Sequence, residues 1–187
     1  NLVDWLLLNF YVGNVDWDHN NWYAGRRRRP GEGYKFFCWD AERTFWNLNE
    51  NRTGLSNVNR PTRLHQRLLD NDEYRTLFRD RVQRHFFADG VLTAQAARAR
   101  WDAFAEHIEL ALAAETARWG DDKRANDPYN TRQEWAAELN WFRRTYFPRR
   151  TSLVYAQLAQ RGIARSAIDP PVITPEDGRI PPGGGGL

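Results

Sequence analysis

Residues 13–23 read Gly13-Asn14-Val15-Asp16-Trp17-Asp18-His19-Asn20-Asn21-Trp22-Tyr23, a polar stretch rich in acids and amides between two apolar segments. Upstream, Leu2, Trp5, Leu6, Leu8 and Val12 recur at three- and four-residue spacing, which predicts a largely buried helix over 1–11. Gly13-Asn14 ends it, because Gly and Asn tolerate left-handed backbone angles. Downstream, the aromatic runs 21–26 and 34–39 flank Arg27-Arg28-Arg29-Pro30-Gly31-Glu32-Gly33, the pattern of a β-hairpin with a solvated basic tip. Helix, polar loop and hairpin thus follow one another within forty residues.

That order carries a recognisable chemistry. Asp16 and Asn21 stand five residues apart, and the second aromatic strand runs into Trp39-Asp40-Ala41-Glu42. In phosphoryl-transfer sites a loop acid beside the attacking hydroxyl, an amide five residues on and a second acid after a hairpin divide the work. The first accepts the proton, and the other two hold the metal that bridges the nucleotide phosphates. Mg²⁺ suits such a site because it prefers a few carboxylate and amide oxygens plus phosphates and water.

Gly13-Asn14-Val15-Asp16, Asn20-Asn21-Trp22-Tyr23 and Phe37-Cys38-Trp39-Asp40-Ala41-Glu42 resemble the core of the spore-coat protein H (CotH) kinase family. Its members show an Asn-x-Asp loop, an Asn-Asn-aromatic-Tyr strand and a Pro-Trp-Asp-x-Asp strand end. Cys38 replaces the common Pro, and Glu42 the second Asp. The resemblance implies an atypical protein-kinase-like fold with ATP and Mg²⁺ or Mn²⁺ as cofactors. Its reaction would be transfer of phosphate to Ser or Thr of a protein, outside the cytoplasm or at a cell surface. Carried over by position, Asp16 is the catalytic acid/base, and Asp40, Asn21 and Glu42 are the metal-side residues. A non-catalytic kinase-fold binding module is the alternative.

No Gly-rich phosphate loop and no Lys precede Asp16, so residues 1–187 are expected to be inactive alone. With no Met and Asn at position 1, the sequence reads as the carboxyl-terminal part of a longer kinase domain. Residues 1–165 would form that part, and the Pro/Gly-rich 166–187 a linker towards a further domain.

The rest of the chain predicts an α+β fold, mostly α: a C-lobe-like helical bundle beside the hairpin. Leu64, Leu68 and Leu69 mark a short helix. Tyr74, Leu77, Phe78, Val82 and Phe86 mark a second, capped by Asp72. Thr93 opens a long helix to about Trp119 with Ala97, Trp101, Phe104, Ile108 and Leu112 as its buried stripe. Thr131-Arg132-Gln133-Glu134 has the form of a capping box. It starts a helix through Trp135, Leu139 and Phe142 that Pro148 interrupts, before a last helix ending at Gly162.

Composition limits the function classes. No stretch approaches the roughly 18 apolar residues of a membrane span. The net charge is +3, with basic residues interspersed among acidic ones, which argues against a nucleic-acid partner. The lone Cys38 makes neither a disulfide nor a zinc site, and reads as a small buried residue. Asp18 reads as a turn acid, His19 as a loop histidine and Asn20 as a loop support. Trp17, Trp22 and Trp39 read as packing residues, and His65, His85 and His107 as surface or half-buried side chains.

Overall fold

The first helix, α1 (Leu2–Val12), is apolar almost all round, so it can be stable only at the centre of the molecule. Leu6, Leu7, Phe10 and Tyr11 are fully buried there, and α1 packs against the hairpin and two later helices. Gly13 closes it in the left-handed conformation at φ +60°. Any Cβ at that position would lie 3.0 Å from the Glu50 side chain, so both backbone and packing call for glycine. The computed structural model describes residues 1–122 and 124–164; the expected linker 166–187 lies outside them.

The hairpin forms as the aromatic runs predict. β1 (Trp22–Gly25) pairs antiparallel with β2 (Lys35–Cys38), Trp22 opposite Cys38 and Gly25 opposite Lys35. Alternation puts Trp22 and Phe36 against Trp5 of α1, and leaves Tyr23 and Phe37 stacked at 4.9 Å on the open face. Arg26 to Arg29 are exposed at the tip, as expected. Two expectations fail at this edge. Cys38 and Trp39 are exposed at the open end of the ribbon, although the Cys38 sulfur still accepts from Asn9 Nδ2 of α1 at 3.8 Å.

After an irregular connection come α2 (Pro61–Leu68), α3 (Asp72–Phe86) and α4 (Ala94–Trp119). Thr93 caps α4 by accepting from the Ala96 N–H, as its sequence predicts. The cap of α3 lies one residue earlier than expected. Asn71 accepts from the Tyr74 N–H, and Asp72 instead places its charge in the first turn. In α4 the predicted stripe is buried at Ala97, half-buried at Trp101, Ile108 and Leu112, and fails at Phe104. Phe104 is 59% exposed because the buried place in that turn goes to its neighbour Ala105, four residues after Trp101.

The final helical run is continuous where a break is predicted. A π-turn (Thr131–Trp135), α5 (Ala136–Trp141), a second π-turn (Phe142–Tyr146) and α6 (Phe147–Gln160) follow without interruption. Pro148 falls in the first turn of α6, just after the wider π-turn, where its missing N–H leaves little unsatisfied. The capping box shifts to Asn130, which accepts from the Arg132 and Gln133 N–H groups while Glu134 accepts from Asn130. The wider first turn explains why cap and Glu stand four residues apart instead of three.

Two buried polar groups tie the layers together. Arg150 of α6, fully buried, donates to the carbonyls of Phe10 and Tyr11 at the end of α1, both at 2.7 Å, and to those of Leu48 and Glu50 at 2.6 and 2.9 Å. Burial pulls its pKa below the ordinary arginine value, against the fields of Tyr146, Tyr11 and Glu50. His65, expected near the surface, is fully buried in α2 because it completes an aromatic cluster: its ring centroid lies 5.0 Å from Phe78. Nδ1 lies 2.9 Å from the Tyr74 hydroxyl, and Nε2 has no partner. Burial first, then the charge of Arg161, lowers its pKa to about 4.

Two outcomes follow. Arg150→Met is expected to cost at least about 3 kcal/mol in chemical denaturation, since it strands carbonyls that only a charged, forked donor reaches, and Arg150→Lys is expected to recover only part of the loss. His65 is neutral when folded but takes a proton below pH 6.5 when unfolded. Its contribution is therefore complete above pH 6.5 and is lost as the pH falls towards 4, by up to about 3 kcal/mol. Melting curves should show that acid sensitivity reduced in His65→Gln.

Candidate functional site

The loop after α1 is built from the backbone outwards by amides. Asn9, the one strongly polar residue in the buried interior of α1, donates to the Trp5 carbonyl at 2.9 Å and accepts from Asn14 Nδ2 at 3.0 Å. Asn14 Oδ1 then accepts from the Asp16 N–H at 3.0 Å. Arg52 fastens the same stretch from outside, through Nε to the Asn14 carbonyl at 3.0 Å and Nη2 to the Val15 carbonyl at 2.7 Å. The Val15 N–H donates to the Arg43 carbonyl and the Phe45 N–H to the Val12 carbonyl, so segment 43–45 lies along the loop. These bonds fix where Asp16 begins.

Two acids two residues apart then meet opposite fates. Trp17 between them is buried edge-on against Trp5 at 5.0 Å and Phe10 at 5.8 Å. Asp18 turns inward at φ +68° and is buried. Its carboxylate accepts from the Thr62 N–H at 3.0 Å, the Thr62 hydroxyl at 2.7 Å and the Asn57 amide. Arg60, at the cap position of α2, makes no side-chain cap, so Asp18 caps that helix from 44 residues away. It is an anchor, more than the turn acid its sequence suggests.

Asp16 points the other way, with its side chain 19% exposed. Its Oδ2 accepts from Asn21 Nδ2 at 3.1 Å, and its Oδ1 lies 3.0 Å from His19 Nε2. Asn21 also donates to the Asp40 carbonyl at 3.2 Å, and the Trp39 N–H donates to the Asn21 carbonyl at 3.1 Å. One amide therefore spans the loop acid and the end of the hairpin. Asn21 at φ +54° and Asp40 at φ +47° both occupy the left-handed region, as does Asp18. Half of the six described non-glycine residues with positive φ thus fall in this site, the kind of local strain that functional sites retain.

The structure brings Asp16, Asn21 and the Asp40 main chain together. Glu42 lines a neighbouring aromatic pocket that includes none of those three. Among the described residues no three carboxylate, histidine or cysteine side chains converge as a metal group. The oxygens on offer, Asn21 Oδ1 and the exposed Asp40 carboxylate, are hard ligands that accept no hydrogen bond among the described residues. They fit Mg²⁺ or Mn²⁺, which fill most of their positions with phosphate and water.

Several supporting residues escape the sequence reading. His19 is read as a loop residue, yet it contacts the Asp16 carboxylate. Asn9 carries a faint signal, a polar residue in an otherwise apolar helix. Arg52, Asn57 and Thr62 carry none, since they reach the loop across 37 to 44 residues of chain.

The family model described as CotH kinase protein matches residues 1–153, and the chain belongs to that family. No curated protein and no solved structure matches it. Membership points to a kinase-like activity and places the Asp16 loop and the hairpin inside the matched region.

The two loop acids should separate cleanly by substitution. Asp18→Ala removes a buried acceptor of three hydrogen bonds and is expected to cost about 2–4 kcal/mol in denaturant unfolding. Asp16→Asn, at a more open position, is expected to stay within about 1 kcal/mol of the parent. Equal losses would mean that both acids are structural.

Proposed function

We propose that this chain carries the transfer centre of a kinase-like C-lobe that moves the γ-phosphoryl group of ATP to a Ser or Thr hydroxyl of a secreted or surface protein. The observation that carries this reading is the Asn21 side chain, which joins the Asp16 carboxylate to the backbone of Asp40. Base and metal acid come from separate elements, and a single amide sets their relative positions.

In this reading the acceptor hydroxyl approaches Asp16, whose carboxylate is held by Asn21 and His19 so that it faces one direction. The acceptor oxygen bonds to the γ-phosphorus as the bond to the β–γ bridging oxygen breaks. The hydroxyl proton passes to Asp16, and ADP leaves. Asp40 and Asn21 Oδ1 would hold a divalent cation, which when bound neutralises charge on the β- and γ-phosphate oxygens. The exposed Tyr23, Phe37 and Trp39 beside Asp40 offer flat faces on which an adenine can stack. With no Lys ahead of Asp16, residues 1–187 hold the transfer residues without an anchor for the α- and β-phosphates, and alone they should turn over no ATP.

A binding module without catalysis is the second reading, favoured by Glu42, which lines the aromatic pocket and not the site of Asp16, Asn21 and Asp40. The test is phosphate transfer by the complete gene product in ATP with Mg²⁺ or Mn²⁺. Asp16→Asn should lower kcat by about 10²–10⁴-fold. Asp40→Ala should abolish both transfer and the rise in Tm that nucleotide and metal produce together. Transfer that survives Asp40→Ala, or indifference of the parent to ATP and metal, overturns the kinase reading.

A further inference from the structure

Beside the loop that follows β2 lies a pocket of about 880 Å³ whose walls include Trp46, Trp101 and Trp141, with Glu42 and Glu138 among its lining residues. Its chemistry differs from that of the neighbouring transfer centre. Glu42 comes from the loop after the hairpin and Glu138 from α5. Both are exposed, and neither is ion-paired among the described residues, in a chain with more basic than acidic side chains. The Arg43 guanidinium sits over the Trp46 ring at 4.8 Å. That contact shows that the indole face already holds a cation, so a ligand ammonium there has to displace Arg43. Trp101 and Trp141 are half-buried and held by Phe142, at centroid distances of 4.0 and 4.8 Å, so this wall is preformed.

Aromatic faces attract cations through the negative potential above the ring, and carboxylates at the rim add charge. The volume falls in the range of small-molecule sites, and the two carboxylates stand on separate elements. Two carboxylates without a third metal-ligating side chain suit ammonium or guanidinium groups better than a bare metal ion. We infer that this pocket binds a small organic dication of the diamine or polyamine class, one ammonium at each glutamate and the methylene chain over the tryptophans. The inference does not depend on the phosphotransfer reading.

The probes are 1,4-diaminobutane and spermidine, titrated into the chain with tryptophan fluorescence and calorimetry as readouts. Saturable one-to-one binding is expected, with none for the neutral isostere 1,4-butanediol. Glu138→Gln and Trp46→Ala, both at exposed positions, should each weaken it by about five- to tenfold while melting curves stay unchanged. The inference is overturned if neither amine saturates, or if both variants bind as the parent does. It is also overturned if N-acetylarginine amide binds as tightly as the diamine, which would assign the pocket to a basic side chain of a polypeptide.

Discussion

The fold depends on a buried guanidinium at the end of a buried helix. α1 is too apolar to sit anywhere but the centre, yet its last turn leaves carbonyls with no partner inside the helix. Water cannot reach them, and a neutral donor would satisfy only one or two. Arg150 reaches Phe10 and Tyr11 and, with the same planar group, Leu48 and Glu50 of the returning chain. Its positive charge also complements the negative end of the helix dipole. One side chain thereby joins α1, α6 and the segment that brings Arg52 to the polar loop.

The site inherits its rigidity from that junction. Gly13 allows the chain to leave α1, Asn9 and Asn14 hold its first turn from within, and Arg52 closes it from outside. Trp17 is driven into the core and Asp18 into the start of α2, while Asp16 stays at the open side, held by Asn21 and His19. The left-handed angles at Asp18, Asn21 and Asp40 are what such tight reversals require. Asp and Asn tolerate them better than other side chains, because their short polar groups bond to nearby backbone. Residue types chosen for chemistry and residue types chosen for turn geometry coincide here.

Much of this was legible in the sequence where the signal is local. The helix, its glycine stop, the hairpin and the Thr93 cap are written in spacings of a few residues, as is the pairing of Asp16 with Asn21. What was not legible depends on partners distant in sequence. His65 has no local mark of burial, because Tyr74 and Phe78 of the next helix and Phe10 of α1 create its surroundings. Arg150, beside Arg149, carries no local mark of burial, since the carbonyls it serves lie about 100 to 140 residues away in sequence. Pro148 reads as a break because the rule for proline assumes a regular α-helix on both sides, and the π-turn removes that assumption. Phe104 reads as core because a spacing of three from Trp101 fits a helix face as well as the spacing of four that buries Ala105.

The hairpin shows how one pattern serves two ends. Its inner residues, Trp22 and Phe36, are committed to Trp5 and fix the ribbon on α1. That commitment accounts for the rigid placement of Asp40 at the ribbon's end, since Asn21 and Trp39 continue the ladder one step beyond the strands. The outer residues, Tyr23, Phe37 and Trp39, gain little from each other in water, and a purely structural ribbon would carry polar side chains there. Apolar area left exposed beside left-handed backbone is costly for the isolated domain. A flat ring or a polypeptide face laid over those side chains would take that area out of water and offset the cost.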